Sequence, residues 1–319
     1  MHIAVLKKEV LKYLDPKPDE NFIDCTIGEA GHALAILERN GPRGKVLGID
    51  QDPEIIENCK LKIENFSDRL ILVCDNFANL KEIVKRYNFK RVSGILFDLG
   101  ISSWHLEKSG RGFSFLRAEP LDMRYHISTF FRGLSKTYYS LTAEEIVNNW
   151  PGSEIERILK EYGEEKFAKR IARGIINSRK TKPIKTTFQL VEIIKKAIPS
   201  WDWRRRIHFA TKTFQALRIV VNDELNNLKK GLGQALEILS PGGKLVVISF
   251  HSLEDRIVKN FLKERAREGL PAPYSNKVCS SGLKILTKKP IRPTFEEIKT
   301  NPRARSAKLR AAIKTTNNP

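Results

Sequence analysis

Phe22-Ile23-Asp24-Cys25-Thr26-Ile27-Gly28-Glu29-Ala30-Gly31-His32 is the stretch whose reading decides the fold. An apolar run, Phe22–Cys25, gives way to a glycine-bearing turn and then to the helical run His32–Arg39, the handover from strand to helix in an open α/β sheet. Glycine in such a turn lets the backbone approach a ligand closely, although a tight turn needs glycine for steric reasons alone. Asp50 strengthens the reading. It closes the next apolar run, Lys45–Asp50, about 20 residues further on, where an acid can accept both ribose hydroxyls of an adenosine. The plainer role, a helix cap or turn acid, does not account for its pairing with the turn.

Outward from there the alternation continues. Asp52-Pro53, a cap followed by a first-turn proline, opens a helix over Pro53–Phe66. Arg69–Asp75 reads as a third strand, Phe77–Tyr87 as a third helix and Ser93–Leu99 as a fourth strand. Continuous apolar strands joined by crossover helices predict a parallel sheet covered on both faces. From about Glu107 to Ile207 the pattern is helical instead: Thr142–Trp150, with a capping box at Thr142-Ala143-Glu144-Glu145, then Ser153–Tyr162, Glu164–Arg179 and Thr187–Ala197. Strand signals resume after a helix over Asn222–Leu239, with the Pro241-Gly242-Gly243 turn, a strand Lys244–Phe250, a helix Leu253–Glu268 and weaker strands near Leu283–Leu286 and Leu309–Ile313. The expected layout is one α/β domain, 1–107 and 208–319, interrupted by an all-helical insertion at 108–207.

NAD and S-adenosylmethionine both use the strand–turn–acid geometry. The turn carries only Gly28 and Gly31 of a G-x-G-x-x-G pattern, and Glu29 places a carboxylate where a pyrophosphate would need the helix N-terminus. A phosphate-free cofactor bearing a sulfonium and an ammonium tolerates that acid better. Asp75-Asn76-Phe77, at the end of the third strand, can hydrogen-bond and pack an adenine edge. The balance favours S-adenosylmethionine.

Composition narrows the partner. Lys and Arg number 57 against 37 Asp and Glu in 319 residues, a net charge of +20, which suits a polyanion because each neutralised phosphate releases counterions. Three basic runs stand out: Arg179-Lys180-Thr181-Lys182, Trp201-Asp202-Trp203-Arg204-Arg205-Arg206 and Arg303–Lys314. The second interleaves tryptophan with arginine as single-strand binders do. The four cysteines, Cys25, Cys59, Cys74 and Cys279, form no CxxC pair or metal spacing, so no metal is expected. Met1–Glu9 is charged too early for a signal peptide, and no apolar run approaches the roughly 18 residues of a membrane span. The expected setting is a reducing cytoplasm with no membrane partner.

Several longer segments are more particular. Asp98-Leu99-Gly100-Ile101-Ser102-Ser103 is followed by Arg111-Gly112-Phe113-Ser114-Phe115 and Pro120-Leu121-Asp122-Met123-Arg124. Later come Thr213-Phe214-Gln215-Ala216-Leu217-Arg218-Ile219, Ile248-Ser249-Phe250-His251-Ser252-Leu253-Glu254-Asp255-Arg256 and Asn301-Pro302-Arg303-Ala304-Arg305-Ser306-Ala307-Lys308-Leu309-Arg310. In this order, from His2 to about Arg310, they resemble the RsmH (MraW) family of bacterial ribosomal RNA small-subunit methyltransferases. The resemblance implies a seven-stranded, Rossmann-like class I S-adenosylmethionine-dependent methyltransferase sheet with a helical insertion. It also implies N4-methylation of a cytidine in the decoding region of 16S rRNA, the substrate being presented within the small subunit. The family's cofactor contacts map onto Ala30, Gly31, His32, Asp50, Phe77, Asp98 and His105. Three departures bear on this: Glu29-Ala30 replace two glycines, Trp104-His105 stand where the family has Pro-Gln, and Phe209 and Lys212 replace a proline and an arginine. Lys212 keeps the charge but not the planar fork. A homodimer is compatible with the sequence.

The chemistry asks little of the protein. Cytosine N4 is a poor nucleophile, and an acceptor for its amino hydrogens would raise its electron density and take up developing charge. Asp98, Ser102, Ser103 or a nearby backbone carbonyl are the candidates. The target base has to leave its pair, and Trp104, Phe113 and Phe115 are candidate stacking partners, with core packing the alternative for the two phenylalanines. His251 is a candidate for orienting substrate. Two rivals remain at this point. A DNA amino-methyltransferase would carry a [D/N/S]-P-P-[Y/F/W] motif after the fourth strand, where this chain has Asp98-Leu99-Gly100-Ile101; a non-catalytic RNA-binding protein on the same fold has no need of Asp50 and the Asp98 loop.

Overall fold

The structure, a computed structural model, describes residues 4–61, 63, 66–126, 141–203, 207–268 and 282–315. Cys279 and Arg204-Arg205-Arg206 lie outside the described residues. In chain order the elements are α1 Lys7–Leu14, β1 Asn21–Asp24, α2 Gly31–Leu37, β2 Val46–Asp50, α3 Pro53–Lys60, β3 Leu70–Cys74, α4 Leu80–Arg86 and β4 Val92–Asp98. Then follow α5 Ser103–Glu107, α6 Ala143–Asn149, α7 Gly152–Glu161, α8 Ala168–Thr181, α9 Thr187–Ala197 and α10 Thr211–Val221. The chain ends with α11 Glu224–Ile238, β5 Leu239–Ser249, α12 Ser252–Glu268, β6 Leu283–Ile285, α13 Phe295–Thr300 and β7 Lys308–Lys314. These form two compact units, Met1–Gly100 with Leu225–Pro319, and Ile101–Glu224.

The first unit is a seven-stranded sheet in the order β3-β2-β1-β4-β5-β7-β6. Strands β1 to β5 pair in parallel, and β7 runs antiparallel to both β5 and β6. This is the Rossmann-like class I methyltransferase sheet. Strands β1 to β4 are parallel, as their crossover helices predict, and β7 runs back along its neighbours, an arrangement that needs no crossover helix. The strand interiors are buried, with Phe22, Ile23, Leu47, Ile49, Ile95 and Phe97 all at 0% exposure. Residues Leu80 and Ile83 of α4 and Leu228 and Leu232 of α11 share that core. Each such side chain contributes about 1.5–3 kcal/mol relative to exposure.

Strand order reverses between β1 and β4, which makes the carboxyl ends of these strands the crevice of the sheet. The register gives the crevice a floor. Asp24 pairs with Gly48 of β2 and Leu96 of β4, whereas β2 and β4 run on two residues further, to Asp50 and Asp98. The chain leaving Asp24 therefore drops into a notch flanked by two strand ends. Gly48 makes room for it: a Cβ there would stand 2.1 Å from Ile27 Cδ1.

The second unit is built from α5 to α10. Ile146, Ile155, Ile158, Ile171, Ile175, Leu190 and Leu217 form its core. Thr142 with Glu145, and Thr186 with Gln189, close capping boxes at the starts of α6 and α9. The irregular segment 111–125 is a buried brace. Arg111 donates to the Tyr125 carbonyl at 2.8 Å, Glu119 accepts the Gly112 amide at 2.9 Å, and Asn222 bonds both the Met123 carbonyl and the Tyr125 amide. The units divide at Gly100 and Glu224, where the sequence reading set the insertion at 108–207. Packing explains the difference: α10, not foreseen as a helix, buries Phe214, Leu217 and Val221 in the helical core, and His105 of α5 is buried beside Phe113 and Tyr125.

Candidate cofactor and substrate site

The turn after β1 is held in a shape that side chains resist. Gly28 has φ +50° and Ala30 φ +63°, both in the left-handed region. For a non-glycine residue that conformation costs about 1–2 kcal/mol, and Ala30, at 0% exposure, takes it at the start of α2. Asp50 ties this turn to the next one. Its Oδ2 accepts the Gly28 amide at 3.2 Å and its Oδ1 the Asp52 amide at 3.0 Å. Asp52 caps α3 through the Glu54 amide, as the Asp52-Pro53 pattern predicts. The acid and the glycine singled out by spacing thus meet directly.

At the floor of the notch Asp24 is 1% exposed and accepts the Thr26 amide at 3.2 Å. The Thr26 hydroxyl accepts the Asp98 amide at 2.7 Å, which joins the ends of β1 and β4. His32, 5% exposed on α2, brings Nε2 to 3.4 Å from Asp98 Oδ2, an ion-pair distance without hydrogen-bond alignment. His32 Nδ1, His32 Nε2 and Asp98 Oδ1 are buried and have no hydrogen-bond partner among the described residues. Burial pushes the Asp24 carboxyl up to about 7, against the favourable charge of His32. For His32 burial acts downward, but the Asp98 carboxylate, with Asp24 behind it, outweighs it and raises the imidazole above its ordinary value.

Along the third strand's end, Asn76 caps the turn through the Ala78 amide and donates to Gln51 Oε1 at 3.1 Å. Asp75 Oδ1 accepts the Asn76 amide at 2.7 Å and the Asn79 side chain at 2.9 Å. Phe77 meets Phe97 edge-on at 5.4 Å, and a Cβ on Gly231 would stand 2.8 Å from its ring. Phe77 is thus positioned by the sheet and by α11.

After β4, Gly100 at φ +117° lets the chain pass Phe250, whose ring lies 3.0 Å from where a Cβ would be. Past β5, Glu254 accepts the amides of Phe250 and His251, and His251 Nε2 lies 3.1 Å from Glu254 Oε1. The next three candidates belong to the helical unit. Ser102 caps α5, and its hydroxyl lies 2.8 Å from His105 Nδ1, with Ser103 as the first helical residue. His105 is 4% exposed among Trp104, Phe113 and Tyr125. Phe113 stacks on Tyr125 at 5.1 Å, so the packing reading holds for it; Phe115 stacks on His208 at 4.4 Å.

The basic runs divide in a way that charge counting missed. Arg310 is buried and pairs with Asp255 at 2.7 Å, where Lys308 also reaches, and Lys314 donates to the carbonyls of Leu236 and Leu239. Arg179 donates to the carbonyls of Val147 and Trp150 at the end of α6. These four cations hold the fold together, a correction to their reading as phosphate grips. Arg303, Arg305, Lys180 and Lys182 are exposed. Trp201 and Trp203, 60% and 40% exposed, carry Lys166 at 4.3 Å and Lys195 at 5.3 Å over their rings.

Comparison with known proteins converges on one family. Residues 1–315 match the profile of the MraW methylase family. The chain is similar to the ribosomal RNA small subunit methyltransferase H of Halothermothrix orenii, 48% identical over 319 residues covering 99% of each chain. It is 46% identical to the protein of that name from Heliobacterium mobile over 318 residues, and 47% to that of Geobacter sulfurreducens over 317, each alignment covering 98% of both chains. A sheet of class I order, its crevice lined by Asp24, Asp50 and Asp98, and relatives of matching length all point the same way: the chain belongs to the MraW methylase family.

Proposed function

We propose that this protein transfers a methyl group from S-adenosylmethionine to N4 of a cytidine in the decoding region of 16S rRNA. The observation that carries the reading is the notch at the ends of β1, β2 and β4, in a chain that matches the family over 1–315. There Asp50 is tied to the Gly28 amide, and the buried polar atoms of His32 and Asp98 are left for a ligand. Such a set fits S-adenosylmethionine: an acid for the ribose, left-handed backbone at Gly28 and Ala30 for close approach, and carboxylates facing a cation. Ala30, Gly31, His32, Asp50, Phe77, Asp98 and His105 hold the cofactor, as the family resemblance assigns them. The bound cofactor supplies an electrophilic methyl on a positively charged sulfur.

The chain's own groups orient the acceptor. Asp98, Ser102 or Ser103 accepts the N4 amino hydrogens, which raises the nitrogen's electron density and stabilises the charge that develops on it. The proton of the methylated amine passes to solvent. The helical unit grips the RNA, with Trp201 and Trp203 offering stacking faces beside lysines and Arg204–Arg206 following directly in sequence. The RNA is presented in the small subunit and the enzyme works in the cytoplasm. No helix among the described residues is long and apolar enough to cross a membrane.

The test is transfer of labelled methyl from S-adenosylmethionine to free 16S rRNA and to assembled small subunits, each with wild type and Asp98→Ala. Incorporation into 16S rRNA, abolished in the variant, is the expected result. Wild-type protein that binds the cofactor yet methylates neither substrate contradicts the proposal.

A further inference from the structure

We propose that Phe115, His208 and Phe209 form a stacking subsite of the helical unit for an unpaired base of the RNA. The inference rests on the RNA reading above and adds a subsite to the faces of Trp201 and Trp203. The three rings lie one upon another. Phe115 and His208 are 6° from parallel with centroids 4.4 Å apart, and Phe209 follows on His208 at 4.2 Å and 28°. One end of the stack is closed, where buried Phe214 meets Phe115 edge-on at 5.6 Å. At the other end no further ring lies on Phe209 among the described residues.

Core packing accounts for Phe214 and not for the whole stack. All three rings are half-buried, and the residues beside them in the chain, Leu116 and Ile207, are 73% and 51% exposed. His208 is fixed in its plane, because its Nδ1 accepts the Ala210 amide at 3.3 Å. The proton of the neutral imidazole is then on Nε2, which is neither buried nor hydrogen-bonded among the described residues. Burial holds the imidazole below its ordinary value. The stack thus offers a neutral aromatic series with one N–H donor at its edge. Parallel rings end in a flat face, and a flat base adds to it at the same spacing.

Charge identifies the occupant. Arg117, two residues past Phe115, is exposed and donates to the Glu107 carbonyl. Lys212, three residues past Phe209, donates to the Glu164 carbonyl at 2.6 Å, and Arg204-Arg205-Arg206 come directly before Ile207 in the chain. Neither 108–118 nor 203–213 contains an acid. Cations on both segments that carry the rings suit a base whose phosphates need neutralising. A paired base keeps its faces within its own duplex, so the ligand is an unpaired one. Phe209 also stands where the related family carries a proline, so the terminal ring is this chain's own addition.

Single-stranded RNA carrying 5-iodouridine, a base that photocrosslinks to aromatic rings it stacks on, tests this with wild type, Phe209→Leu and Phe209→Trp. Irradiation of the wild-type complex should attach the base at Phe115 or within 207–210, located by mass spectrometry of the digested protein. Fluorescence anisotropy should show single-strand affinity about fivefold or more weaker in Phe209→Leu, and kept in Phe209→Trp. Both variants should bind S-adenosylmethionine and a duplex of the same RNA as wild type does. Unchanged single-strand affinity in Phe209→Leu, or an equal loss on single strand and duplex, overturns the inference. So does a crosslink confined to Trp201 and Trp203. Altered self-association of Phe209→Leu with wild-type RNA affinity marks a protein-binding face and overturns it too. Should Phe209→Leu not fold, the wild-type crosslink decides alone. Failure of wild type to bind either RNA while it binds the cofactor overturns the RNA reading, and this inference with it.

Discussion

Replacing Asp50 with alanine tests the crevice at its hinge. The carboxylate holds two backbone amides, Gly28 at 3.2 Å and Asp52 at 3.0 Å, and is the acceptor assigned to the cofactor's ribose. A hydrogen bond to a charged group contributes about 1.5–3 kcal/mol. Losing the ribose contact should therefore weaken S-adenosylmethionine binding by roughly tenfold to 150-fold. Loss of the two half-buried amide contacts should cost the unliganded protein a further ~1–2 kcal/mol of stability, because water replaces the carboxylate only in part. Asp50→Asn should recover little of either, since its amide nitrogen cannot accept from the second backbone N–H. Calorimetry of cofactor binding, thermal unfolding without ligand, and RNA binding by fluorescence anisotropy separate the effects, with RNA affinity expected unchanged. A folded Asp50→Ala variant with wild-type cofactor affinity would refute the assignment of this notch.

Other outcomes follow from the same geometry. Asp24 is raised from 3.8 to about 7, so its contribution to stability is complete below pH 4 and is lost as pH rises through 7. His32, also raised, acts in the same direction. The unliganded protein should lose up to about 4 kcal/mol through Asp24 between pH 4 and 7 relative to Asp24→Asn. Urea unfolding across that range with parallel slopes for the two proteins contradicts this. Arg310→Ala leaves the part-buried Asp255 carboxylate with Lys308 alone and should cost about 1.5–3 kcal/mol of stability, the loss of a hydrogen bond between charged groups, without altering the salt dependence of RNA binding. Neutralising exposed Arg303 and Arg305 should do the reverse, lowering the logarithmic salt slope by up to about 0.7–0.9 per lost phosphate contact. Trp201→Ala should weaken RNA binding by about 1–3 kcal/mol and leave cofactor affinity intact, and filter binding that gives equal RNA affinity removes the stacking role.

The meeting of Gly28 with Asp50 was legible because it depends on spacing along one strand-turn-strand unit. Gly28 and Asp50 were paired by distance in sequence, and the fold joins them by a hydrogen bond. The strand Lys45–Asp50 is a continuous apolar run, and its observed span, Val46–Asp50, differs by one residue. Helix α10 was missed because Thr211–Val221 holds three β-branched residues at its end and no side-chain cap at its start. Charge counting could not tell Arg310 from Arg305: alternation along β7 turns Arg310 toward Asp255, a partner 55 residues away. The burial of Asp24 was equally hidden, since it arises from β1 stopping two residues before its neighbours, a property of register between strands.

The central claim is the identity of the methylated atom, and nucleoside mass spectrometry of 16S rRNA incubated with the protein and isotope-labelled S-adenosylmethionine measures it directly. The label should appear in N4-methylcytidine from the decoding region. Methylation at C5 normally needs a cysteine nucleophile, and neither the loop after β4, residues 99–110, nor the segment Phe250–Asp255 after β5 contains one. Label recovered as 5-methylcytidine or as a ribose-methylated nucleoside would contradict the account.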